Sequence, residues 1–77
     1  MVSIKNIIME NGIISATCYE EDDVEKVFFI RIDATDFSII ENSLGYVNIY
    51  CRMAIYKIRK TLQEENKLPN ELLSVWV

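Results

Sequence analysis

Asn11-Gly12 separates two isoleucine-rich runs, residues 3–9 and 13–19. Both residues reach positive φ at low cost, as the central positions of a type I′ turn require. The runs therefore read as a hairpin with a two-residue loop, and the loop sets a register. Met9 faces Ile14, Ile7 faces Ala16 and Lys5 faces Cys18 on one side. Ile8 faces Ser15, Asn6 faces Thr17 and Ile4 faces Tyr19 on the other. The first side is the more continuously apolar and is assigned to the core.

The meander continues beyond the hairpin. Glu20-Glu21-Asp22-Asp23 is a charged turn, and residues 24–32 form a third strand centred on Val27-Phe28-Phe29-Ile30. Asp33-Ala34-Thr35-Asp36 is a second tight turn in which Asp36 can adopt the left-handed conformation. Residues 37–41 make a short fourth strand. The period then changes. Val47, Tyr50, Cys51, Ala54, Ile58 and Leu62 recur at helical spacing. Asn42 or Ser43 can cap the start of this helix, and Pro69 places its end by about Asn66. The tail, residues 72–77, is apolar and β-prone, and is expected to add a strand beside the first or to pack near the helix. The fold class is α+β, with a four-stranded antiparallel meander on one long helix and a short closing strand (ββββαβ).

A chain of 77 residues makes one domain, near the lower size limit for folding without staples. Ordering it costs on the order of 100 kcal/mol of conformational entropy, which one small core little more than offsets. Size alone leaves dimerisation and a monomer both open, and association as a homodimer is expected from the sheet face. No basic start precedes an apolar segment of the secretory kind, and no run approaches the roughly 20 apolar residues of a membrane span. Cys18 and Cys51 can make at most one bridge and read as reduced, buried thiols. A cytoplasmic protein is expected.

The chain has no histidine, two glycines and 12 acidic residues against eight basic ones. Ser-His-Asp and Cys-His catalysis need an imidazole. Neither glycine lies in a phosphate-binding run, and two thiolates without histidine do not complete a zinc site. The acidic run Glu20, Glu21, Asp22, Asp23 and Glu25 lacks the alternation and central glycine of a calcium loop. It reads as a solvated turn that discourages edge-to-edge pairing. Asp33, Asp36 and Glu41 have no evident partner for acid–base work and are simpler as turn and strand residues. No enzyme, cofactor or metal is expected.

Charge is split along the chain. Residues 1–41 hold nine acids and three bases, and residues 42–77 hold five bases and three acids. Arg52, Lys57, Arg59 and Lys60 gather on the helix beside Tyr46, Ile49, Met53 and Tyr56. Such a face can touch nucleic acid or an acidic protein surface, although the overall charge of −4 opposes strong nucleic-acid binding. An acidic nucleic-acid mimic built on residues 20–25 is a further alternative.

The leading expectation comes from the sheet. Val27-Phe28-Phe29-Ile30 places large apolar groups on both faces of the third strand. One helix covers one face. Ile8, Tyr19, Val27 and Phe29 are left on the other, with Ile4 beside them. An exposed apolar patch of this kind marks an interface, unless the tail with Trp76 folds over it. The chain thus reads as a protein–protein interaction or accessory protein that self-associates or docks on a protein partner.

Ile13-Ile14-Ser15-Ala16 leading to Cys18-Tyr19-Glu20, a strand ending in Ile32-Asp33, a helix, then Leu68-Pro69 and Val75-Trp76 together resemble small uncharacterised bacterial proteins. Such proteins occur in Gram-positive genomes and their mobile elements. The resemblance implies a compact α+β domain and no particular chemistry.

Overall fold

The computed structural model describes residues 1–75. Strands β1 (Val2–Glu10), β2 (Ile13–Glu20), β3 (Val27–Asp33) and β4 (Ile39–Asn42) are followed by helix α1 (Ile49–Glu65) and strand β5 (Leu72–Ser74). All strand pairs are antiparallel, in the order β4-β3-β2-β1-β5. The tail therefore pairs with β1 through Val2–Ser74, Ser3–Leu73 and Ile4–Leu72. The expected packing of Trp76 lies outside the described residues.

The hairpin register holds near the loop and changes further along. Glu10–Ile13, Met9–Ile14 and Ile8–Ser15 pair as the Asn11-Gly12 turn dictates, with positive φ at both turn residues. The register then shifts between Lys5 and Ile8. Asn6 adopts a left-handed conformation, φ 54°, and Asn6 with Ile7 opposes a single residue of β2. This bulge frees the Ile7 N–H to donate to the Asn70 carbonyl, 3.0 Å away. Beyond it the facing differs from the expectation: Ile4 pairs with Cys18 and is fully buried, while Lys5 pairs with Thr17 and points out. The alternative would bury a lysine opposite Cys18, so the bulge removes a costly desolvation.

Two other boundaries differ. β3 begins at Val27 because residues 20–26 close on themselves. The Glu20 N–H donates to the Lys26 carbonyl and the Lys26 N–H to the Asp23 carbonyl. In the β3–β4 turn the left-handed residue is Phe37, φ 62°, and not Asp36. The Asp33 carboxylate accepts the Thr35 N–H and the Asp36 carboxylate accepts the Ser38 N–H. The left-handed cost of about 1–2 kcal/mol is offset by packing the Phe37 ring against the core.

The helix starts later than expected, with Asn48 as its cap. Asn42 is already committed, accepting the Leu44 N–H and donating to the Tyr46 carbonyl as the chain turns at Gly45. The Asn48 carboxamide oxygen accepts the Cys51 N–H at 2.9 Å. Asn66 closes the helix in a left-handed conformation, its N–H donating to the Leu62 carbonyl, as a C-terminal cap does.

Cys51, Ala54 and Ile58 of α1 are fully buried against Val2, Ile4, Ile14, Cys18, Phe28 and Ile32 of the sheet. The core thus lies between one face of the sheet and one stripe of the helix. Thr61 extends that stripe, its hydroxyl donating to the Lys57 carbonyl. No helix among the described residues is long and apolar enough to cross a membrane.

Candidate interaction surfaces

The alternation of β2 and β3 decides the outer sheet face. Phe28, Ile30 and Ile32 point inward and are buried, while Val27, Phe29 and Arg31 point outward. Thr17 pairs with Phe29, Tyr19 with Val27 and Ser15 with Arg31, so these residues share that face. Among the described residues no element crosses it. Phe29 is 55 % exposed, Ile8 52 % and Val27 40 %; Tyr19 is half-buried. The Lys5 ammonium lies over the Tyr19 ring, 5.6 Å from its centroid, a cation–π contact that also shields the ring.

Ile8 and Phe29 line a shallow hollow of about 370 Å³ with Thr17, Arg31, Glu41 and Ser43. The Arg31 guanidinium meets the Glu41 carboxylate at 3.4 Å, both exposed. Such a pair adds little to stability. Ser43 clamps this margin, since its hydroxyl accepts the Phe29 N–H at 2.8 Å and its own N–H donates to the Phe29 carbonyl. Ile8, Val27 and Phe29 were legible as outward-facing from period-2 alternation. Arg31 and Glu41 could have been added from the same alternation once β4 was paired. Ile4 alone leaves the patch, for the bulge described above.

The helix face is divided. Ile55, Tyr56, Arg52 and Arg59 line a groove of about 460 Å³ together with Asp36, Phe37, Ile39 and Val47. Arg59 stacks over the Phe37 ring at 5.9 Å. Lys60 joins Arg59, Tyr56 and Gln63 around a separate hollow. Lys57 stands apart, about 140° around the helix from Arg52 at 3.6 residues per turn. The structure thus brings Arg52 and Arg59 together and separates Lys57 from them. Met53, expected beside the basic face, packs partly against the core.

The acidic turn holds its carboxylates apart. Glu21 accepts from the Met1 ammonium and the Tyr50 hydroxyl, each at 2.9 Å. Asp22 accepts from Ser3 and Glu20 from Asn48. The ammonium first, and then the tyrosine hydroxyl, lower the Glu21 carboxyl below the usual range, and the same contact raises Tyr50. No group of three or more thiol or carboxylate residues among the described residues is placed to share a metal ion.

The cysteines are free and fully buried. Burial, and then the charge of a neighbouring Cys51 thiolate, push the Cys18 thiol up to about 12; burial also raises Cys51. Thiolates are the reactive form, so neither group is activated. No protein-family model, curated protein or solved structure matches the chain.

Proposed function

We propose that this protein is a small non-enzymatic interaction protein that self-associates through the outer face of its sheet. The observation that carries the reading is Phe29, a large aromatic ring held half-exposed at the centre of an uncovered strand, with Ile8, Tyr19 and Val27 around it. A contiguous apolar patch is uncommon on a monomer and favours association.

A second copy is the occupant that suits this face. The two longer dimensions of the molecule, 29 and 26 Å, set an outline of about 750 Å², so a two-fold contact would have to use most of one side to approach the roughly 800 Å² per partner of a standard interface. A two-fold axis through the patch sets Phe29 and Ile8 against their own copies. Arg31 and Glu41 line the same hollow and neutralise each other there. Burying apolar surface there contributes roughly 25 cal/mol per Å² before the costs of association.

Phe29→Glu is the decisive variant. It places a charge where the ring would be buried and leaves the inner face untouched. Sedimentation across a concentration series is expected to show a dimer for the parent and a folded monomer for the variant. A variant that sediments like the parent overturns the reading.

A further inference from the structure

Arg52, Ile55, Tyr56 and Arg59 recur at i, i+3, i+4 and i+7, so one stripe of the helix reads cation, apolar pair, cation. Phe37, Ile39 and Val47 line the same groove. Among the described residues neither arginine forms an ion pair. Arg59 is instead steadied on the Phe37 ring. The two arginines lie about 10 Å apart along the helix axis, at 1.5 Å per residue. A segment that fills this groove and carries an apolar side chain between two carboxylates would match it, because guanidinium groups form strong charge-assisted pairs with carboxylates.

This chain displays such a segment. Val24 is 77 % exposed, more than any other large apolar residue described, and stands between Asp23 and Glu25. The Asp23 carboxylate accepts the Glu25 N–H through one oxygen, which holds the tripeptide as a projecting turn. That turn joins β2 to β3, whereas the groove borders the turn joining β3 to β4. The two features therefore sit at opposite ends of β3, and one molecule cannot fill its own groove.

We propose that the Asp23-Val24-Glu25 turn of one copy docks in the Arg52–Arg59 groove of a second copy. Val24 covers Ile55 and Tyr56, and the flanking carboxylates meet the two guanidiniums. The contact is heterologous and separate from the outer sheet face, so it links molecules head to tail. Its footprint is small, which makes it a weak contact of the transient class, and salt weakens it.

The test is a charge exchange followed by two-dimensional amide NMR of the full chain. Residues 23–25, 37–39 and 52–59 are expected to shift with protein concentration at low salt. Arg52→Glu/Arg59→Glu and Asp23→Lys/Glu25→Lys are each expected to lose those shifts. Mixing the two variants restores opposite charges at every turn–groove contact and is expected to bring the shifts back. Val24→Ser, which leaves all the charges in place, is expected to weaken the contact about tenfold. Shifts that survive in either double variant, or that fail to return on mixing, overturn the proposal. Repeating the mixture with Phe29→Glu in both chains separates the two surfaces. Loss of the turn–groove shifts there assigns them to sheet-face association, and their persistence leaves the groove independent of it.

Discussion

Phe28 and Phe29 are adjacent, identical in chemistry and opposite in circumstance. Phe28 is fully buried between Cys18 and the helix side of the sheet, while Phe29 is more than half exposed on the other side. The strand alternation separates them, and the single helix makes the separation consequential. One face of the sheet has α1 to cover it; on the other, no described element lies. The contrast teaches that the composition of a strand does not distinguish core from contact surface. Only the identity of the covered face does.

The sharpest way to break the comparison is to truncate each ring in turn. Phe28→Ala is expected to cost about 3–5 kcal/mol, from lost transfer energy and the cavity left behind. Phe29→Ala is expected to cost the folded monomer about 1 kcal/mol or less. Urea denaturation of the two variants at a concentration that keeps both monomeric measures the difference. Equal losses would mean that the outer face is covered after all.

A second test uses the inner face alone. Cys18 holds its proton up to about pH 12 in the fold, against about 8.5 for an unfolded thiol. As pH rises the unfolded chain therefore releases this proton first. Below about pH 8 the thiol is protonated in both states and its contribution is constant. From there to about 12 stability falls with rising pH. Cys51, raised in the same direction, adds to the fall. Urea midpoints at pH 7, 8.5 and 10 are expected to decline less steeply in Cys18→Ala than in the parent. An unchanged slope would mean that the thiol is not sealed from water.

The smallest expected effect lies where the two faces exchange partners. Asn6 is exposed and left-handed, so its replacement removes little packing. Asn6→Val places a β-branched residue in that conformation and is expected to cost about 1–2 kcal/mol, measured by thermal or urea unfolding. Asn6→Gly is expected to match or slightly exceed the parent. A silent valine would show that the bulge can move along β1.

These tests also mark where the sequence was legible. The Asn11-Gly12 turn, the alternation of residues 27–32 and the helical recurrence of Cys51, Ala54 and Ile58 are local signals. Each determines facing within a few residues, and the whole ββββαβ order follows from them. Asn6 gave no comparable warning. Asparagine is depleted in strands and tolerates the left-handed conformation, but that does not fix where a bulge falls, and the reason for this one is distant: the Ile7 N–H donates to the Asn70 carbonyl. Ile4 was placed on the wrong face for that reason alone. The late cap at Asn48 has a similar origin, because Asn42 is diverted by its bonds to Leu44 and Tyr46. The groove was half legible. Arg52 and Arg59 follow from helical spacing, but Phe37 and Ile39 reach it only through tertiary packing.

The bulge at Asn6 also bears on how this strand can change length. Val2 and Ile4 point inward on one side of it and Ile7 on the other, with Met9 on the same face as Ile7 but half exposed near the hairpin loop, so the two halves of β1 are read in different frames. Removing one residue elsewhere in the strand would invert every side chain on one flank of the deletion. Removing Asn6 would not, because Ile7 would then oppose Ala16 while Lys5 and Ile4 kept Thr17 and Cys18. The bulge is thus a seam, where a deletion leaves the parity of both halves intact.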